Sequence, residues 1–184
     1  ALIYNYLLER NIIVPPRRIA NKTASFEGAY VKDPQIGLHD WVASFDLNSL
    51  YPHLIMQYNI SPETLIDNHD YTDEMRHLAS QASVENLLQK KLDTSVLKDA
   101  TITPNGQFFR TDKEGFLPAM MIDMYDNRKK FKKLMLKEQQ AYENEKDETK
   151  KKEIEKLIAR YNNLQLAKKV SLNSAYGAMG SQYF

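Results

Sequence analysis

Residues 44–52 read Ser44-Phe45-Asp46-Leu47-Asn48-Ser49-Leu50-Tyr51-Pro52. The stretch that enters this segment alternates: Trp41, Ala43, Phe45 and Leu47 fall on one face, and Val42, Ser44 and Asp46 on the other. That period of two predicts a half-buried strand ending at Asp46. Asn48-Ser49 then offers a helix cap, and Pro52 suits a first helical turn, so a short helix is expected over His53 to Tyr58. A carboxylate buried alone at a strand end is costly unless paired or bound to metal. The helix start that follows presents backbone N–H groups free to hold an anion. A metal-binding carboxylate beside a phosphate cradle is the arrangement nucleotidyl transfer needs, while Asp46 taken alone also fits an ordinary helix N-cap or turn Asp.

Further along, the character changes to long helices. Residues 118 to about 145 carry Met124, Phe131, Met135 and Tyr142 on one stripe, and residues 152 to about 176 carry Ile154, Ile158, Tyr161 and Leu164 on another. Asp147 to Lys151 is a polar tip between them, and the two helices are expected to form an antiparallel hairpin. Arg128 and Lys132 share a helix face at i and i+4, as do Lys169 and Asn173, with Tyr176 three residues on. Arg128 and Lys169 each lie about 20 residues from the tip, roughly 30 Å at about 1.5 Å per residue, so antiparallel helices bring them opposite one another. Three cations and an amide gathered there suit a triphosphate, Arg giving planar two-point contacts and Lys a mobile charge.

The rest of the chain reads as smaller pieces. Residues 1–10 look like the end of a helix broken by Pro15-Pro16, and Phe26 to Val31 has strand character. A helix is expected around 73–92 in a polar stretch with no evident chemistry, and a hairpin over Thr101 to Phe116 with Asn105-Gly106 at its turn. The fold class expected is α+β: a partial palm of antiparallel strands and short helices over residues 1–117, a projecting two-helix hairpin over 118–177, and the start of a return over 178–184.

Composition sets the outer limits. The chain has 184 residues, 25 Lys plus Arg against 24 Asp plus Glu, 42% apolar and 27% charged residues, an ordinary soluble balance. Charge is nonetheless uneven. Asp33 to Glu74 holds eight acids and no Lys or Arg, whereas Arg128 to Lys137 holds six cations and no acid. Cysteine is absent, which excludes disulfides, thiolate zinc sites, iron–sulfur clusters and cysteine nucleophiles. With four scattered histidines, a metal here would take oxygen ligands, which points to magnesium, manganese or calcium. No apolar run reaches the roughly 20 residues of a membrane span. The start, Ala1-Leu2-Ile3-Tyr4, lacks an initiator Met and a signal-peptide layout, and reads as a piece of a longer chain.

Four segments together resemble the family B (alpha-like) DNA polymerases. Ser44 to Pro52 resembles motif A with its D-x-x-S-L-Y-P core, and Lys169-Val170-Ser171-Leu172-Asn173-Ser174-Ala175-Tyr176-Gly177 resembles motif B, K-x-x-x-N-S-x-Y-G. Asn127 to Lys132 is similar to the segment of the fingers that bears the triphosphate-binding Arg and Lys. Phe26-Glu27-Gly28-Ala29 is similar to the Y-x-G-G/A element between exonuclease and polymerase domains, with Phe in place of Tyr. Asn59-Ile60-Ser61-Pro62-Glu63-Thr64 and Pro104-Asn105-Gly106 suggest the T-even-phage-like replicative branch.

The resemblance implies roles position by position. Asp46 would ligate both of two magnesium ions and the Leu47 carbonyl one of them. The backbone of Asn48, Ser49 and Leu50 would hold the β and γ phosphates, and Tyr51 would exclude a ribose 2′-hydroxyl by a steric clash. Arg128, Lys132 and Lys169 would bind the triphosphate with Asn173 in support. Tyr176 and Gly177 would lie near the nascent base pair, and Phe26, Gly28 and Ala29 would touch the template strand. The implied partners are primer–template DNA, a deoxynucleoside triphosphate and the remainder of the polymerase, with a sliding clamp as a further candidate and no membrane, in the cytoplasm of the host cell. Motif C, Y-x-D-T-D-S, does not occur in this sequence, and Asp112, Asp123 and Asp126 stand in no matching context. The expectation is a polymerase fragment inactive alone; the alternatives are a non-catalytic module that docks another replication protein and a soluble helical hairpin without nucleotide chemistry.

Overall fold

The computed structural model describes residues 2–13 and 30–179. Six α-helices and one two-stranded antiparallel sheet are found among them, so the fold is α+β. The helices are α1 (Leu2–Glu9), α2 (Leu50–Gln57), α3 (Asp73–Gln81), α4 (Val84–Leu88), α5 (Phe116–Asn144) and α6 (Glu148–Met179). The strands are β1 (Ala100–Ile102) and β2 (Phe108–Arg110), paired with Thr101 opposite Phe109.

The expected helical hairpin is present. Helix α5 begins two residues before Pro118, which the first turn tolerates because it needs no amide there. The tip falls at 145–147, slightly earlier than the charge pattern indicates, and Asp147 Oδ1 accepts from the Thr149 amide to open α6. The seam follows most of the expected stripes and departs from them at one position on each helix. On α5, Met124 is buried and Phe131 and Met135 are half-buried, but Tyr142 is 38% exposed at the margin of the seam beside Ile158. On α6, Ile154, Ile158 and Tyr161 face the seam, yet the next inward position is Gln165 rather than Leu164. Steps of three and four from Tyr161 reach both residues, and helix rotation against α5 selects Gln165, which continues to Leu172 and Ala175. Gln165 is 9% exposed and donates from Nε2 to Asn162 Oδ1 at 3.0 Å.

The base of the hairpin carries the main core. Ile55 of α2 meets Leu117, Met120, Met121 and Met124 of α5 and Leu172 and Ala175 of α6, with Ile3 and Tyr6 of α1 against it. Each buried Met or Leu there contributes about 1.5–3 kcal/mol. A second cluster joins Leu78 of α3 to Ile102 and Phe108 of the hairpin strands. The turn between them holds Gly106 at φ 78°, where a Cβ would stand 3.0 Å from the Ala79 carbonyl oxygen. Residues 64–66 run along the other edge of β2, with Arg110 N donating to Thr64 O and Ile66 N to Phe108 O. The polar stretch expected as one helix around 73–92 is two, α3 and α4, each capped by a hydroxyl: Thr72 accepts from Met75 N and Ser83 from Asn86 N.

One expected strand is not formed among the described residues, and most of another, Phe26 to Ala29, lies outside them. Trp41 to Leu47 is irregular and unpaired among the described residues, Trp41 itself standing in the left-handed region at φ 58°, and Trp41, Val42, Phe45 and Leu47 are all exposed. An alternating pattern specifies a strand only where a neighbouring edge supplies hydrogen bonds, and the described residues offer none there. Tyr30 and Val31, the described end of the other stretch, are likewise irregular and exposed.

Candidate active site

Helix α2 begins at Leu50, directly after the expected Asn48–Ser49 cap but three residues before the expected His53, and its cap differs from expectation. Ser49 occupies the N-cap in the left-handed region, φ 55° and ψ 44°, and its side chain makes no capping bond. Its hydroxyl instead donates to Asn48 Oδ1 at 3.3 Å and accepts from the Arg128 guanidinium at 3.3 Å. The Ser49 carbonyl accepts from the His53 amide at 3.1 Å, and His53 Nδ1 lies 2.9 Å from the same oxygen. The first amides of α2, on Leu50 and Tyr51, have no acceptor among the described residues, and Pro52 has no N–H to satisfy.

A cleft of about 470 Å³ opens at this turn, lined by Asp46, Leu47, Ser49, Tyr51, Pro52 and, from α6, Asn173. The structure thus brings an end of the second long helix onto the segment around Asp46. Tyr176, one turn beyond Asn173, stacks on Tyr51 with ring centroids 4.1 Å apart and planes 7° from parallel. Behind it, His53 meets Tyr125 of α5 edge-on at 4.8 Å. Arg128 reaches the turn from α5, its Nη1 also 3.5 Å from Asn48 Oδ1, and its Nε is buried with no hydrogen-bond partner among the described residues.

The other expected site residues are placed less closely. Lys132 lies one turn beyond Arg128 on α5 and Lys169 one turn before Asn173 on α6; both are exposed and neither lines the cleft. Gly177 is exposed, and a Cβ there would meet open space. Phe26, Gly28 and Ala29 lie outside the described residues.

Asp46 is the one carboxylate that lines the cleft, and no group of three or more His, Cys, Asp or Glu among the described residues makes a metal site. A two-ion centre needs more than one bridging carboxylate. Asp46 and the Leu47 carbonyl fit part of an oxygen donor set suited to magnesium, not the whole of it.

Three residues in the connection to α5 matter more than sequence patterns indicate. Asn59, Ser61 and Glu63 reach across to residues 110–117 and hold the start of α5. The available signal was negative: α5 follows Gly115, which has no side chain to cap it, so its cap comes from elsewhere in the chain. Nearby, the Arg110 guanidinium hydrogen-bonds Asp112 and holds that carboxyl below its usual range. A larger cleft of about 870 Å³ lies between residues 63–75 and 96–112, with a mostly acidic rim that includes Asp67, Asp70, Glu74 and Asp99. No helix among the described residues is long and apolar enough to cross a membrane.

The chain is 29% identical, over its full length, to the DNA-directed DNA polymerase of Escherichia phage RB69, of which it covers 23%. It is 29% identical over 97% of its length to the DNA polymerase delta catalytic subunit of Schizosaccharomyces pombe, covering 14% of that protein. It is 27% identical over its full length to the DNA-directed DNA polymerase of Enterobacteria phage T4, covering 23%. The chain therefore spans less than a quarter of the length of these curated relatives. A family model for DNA polymerase family B matches residues 1–183, and the chain belongs to that family.

Proposed function

We propose that this chain carries the nucleotide-binding part of a template-directed DNA polymerase, in which a primer 3′-hydroxyl attacks the α-phosphate of a deoxynucleoside triphosphate and pyrophosphate leaves. The carrying observation is convergence. Asp46, Tyr51 and Asn173 line one cleft, Tyr176 stacks on Tyr51, and Arg128 lies on the Asn48–Ser49 turn beside it.

The triphosphate is held from several sides. The unfilled amides of Leu50 and Tyr51, with the backbone of Asn48 and Ser49, receive the β and γ phosphates at a helix start. Arg128 adds a planar donor fork, and its buried, unpartnered Nε is a donor that an arriving anion would fill. Lys132 and Lys169 add mobile positive charge from the two helices, and Asn173 supports the same site from within the cleft. Tyr51 fills the space a ribose 2′-hydroxyl would need and so selects the deoxy sugar by exclusion. Tyr176 and Gly177 face the nascent base pair, and Phe26, Gly28 and Ala29 contact the template strand.

Asp46 and the Leu47 carbonyl would hold magnesium, two ions in the complete polymerase, together with carboxylates from its remaining parts. Bound magnesium supplies charge neutralisation of the triphosphate and activation of the attacking hydroxyl. Primer–template DNA and the remainder of the polymerase are thus required partners, and a sliding clamp is a further one. The work takes place in the host cytoplasm.

Primer extension tests the reading. The purified chain with magnesium is expected to extend no primer, and supplying the rest of the polymerase is expected to restore extension. Asp46→Asn in the completed enzyme is expected to abolish it. Robust extension by the chain alone overturns the claim of dependence, and full activity of the Asp46→Asn enzyme overturns the site.

A further inference from the structure

The Asn59–Thr64 segment has no part in the nucleotide chemistry, yet it is among the most thoroughly bonded in the molecule. Asn59 follows α2 at φ 53° and is 9% exposed. Its Nδ2 donates to the carbonyls of Arg110 at 2.5 Å and Lys113 at 2.8 Å, and its Oδ1 accepts from Gly115 N at 2.9 Å. Both amide hydrogens are used, which fixes the orientation of the side chain. Its own carbonyl accepts the hydroxyl of the fully buried Thr64 at 2.6 Å. Glu63 accepts from Phe116 N at 2.5 Å, and the Ser61 hydroxyl lies 3.5 Å from Leu117 N, so the first two amides of α5 are served from this segment. A Cβ on Gly115 would come within 2.5 Å of Ser61 Cβ.

All of this lies at the C-terminal end of α2. At the other end, Arg128 reaches Asn48 and Ser49. Helix α2 is therefore tied to α5 at both ends, with Ile55 packed against α5 methionines between them. A slip of α5 by one residue would turn Arg128 about 100° around the helix and carry it off the turn. We propose that Asn59 is a positioning residue for the nucleotide site: it sets the register of α5 on α2 and thereby places the Arg128 guanidinium on the Asn48–Ser49 turn. Its effect on nucleotide use rests on the reading of Arg128 given above; the positioning itself does not.

Two variants separate the contributions. Asn59→Gly keeps the left-handed backbone and removes the amide. Asn59→Asp keeps the shape and the acceptor for Gly115 N but loses both donors. In the nucleotide-free chain, solvent exchange of the Arg128 Nε–H, read by NMR, is expected to accelerate at least tenfold in both variants while helical circular dichroism is retained. Parent-like exchange in either folded variant overturns the proposal. In the complete polymerase, Asn59→Gly is expected to raise the KM for deoxynucleotide about tenfold with little change in kcat, and to have no further effect once Arg128→Ala is present. Effects that multiply across the two substitutions would also overturn it. If Arg128→Ala alone leaves KM unchanged, the triphosphate reading fails, and the exchange measurement still decides the positioning.

Discussion

Tyr51 and Tyr176 are stacked face to face, 4.1 Å between ring centroids and 7° from parallel. The contact fastens the first turn of α2 to the closing turns of α6, so the cleft wall is assembled from two distant parts of the chain. A double-mutant cycle with Tyr51→Ala and Tyr176→Ala is expected to give a coupling of about 0.5–1.5 kcal/mol by urea denaturation. Additive single effects would show that the rings are neighbours without a stabilising contact.

Removing the Tyr51 ring should also change the choice of sugar. In the complete polymerase, Tyr51→Ala is expected to admit ribonucleotides more readily while DNA synthesis continues, because the exclusion acts by steric contact. Competition between ribo- and deoxynucleoside triphosphates measures it. An unaltered ratio would remove the gate.

Lys169 is exposed one helical turn before Asn173, which itself lines the cleft. Lys169→Ala is expected to lower nucleotide use by one to three orders of magnitude in kcat/KM, each tenfold being about 1.4 kcal/mol. Steady-state kinetics with a matched primer–template reads this directly, and a parent-like value would take Lys169 out of the site.

Gly115 has no room for a side chain beside Ser61. Gly115→Ala is expected to destabilise the chain by about 1–3 kcal/mol, since the neighbour is a short side chain on well-bonded backbone rather than the end of a flexible one. Denaturant unfolding measures the loss. A parent-like midpoint would mean that the α2–α5 junction yields more easily than its hydrogen bonds indicate.

Much of the fold was legible in the sequence, and the reasons differ by segment. The two long helices declare themselves through many apolar positions at helical spacing, so α5 and α6 lie where the pattern puts them. The Gln165 seam position was hidden because periodicity fixes a stripe only to within a step, and packing against α5 chooses the member. Trp41 to Leu47 shows the opposite failure. Its alternation is clear, but a strand is a property of two segments, and only one is present among the described residues. The site was partly legible: Asp46, Tyr51 and Asn173 share the cleft, whereas Lys132 and Lys169 stand clear of it. Asn59 was illegible as an anchor because its partners are mainly backbone groups more than fifty positions away, which leave no side-chain pattern to read.

The amide pair Asn162–Gln165 has one more implication. Both side chains belong to α6, so the bond travels with that helix and satisfies the shielded Gln165 amide locally, asking nothing of the opposite arm.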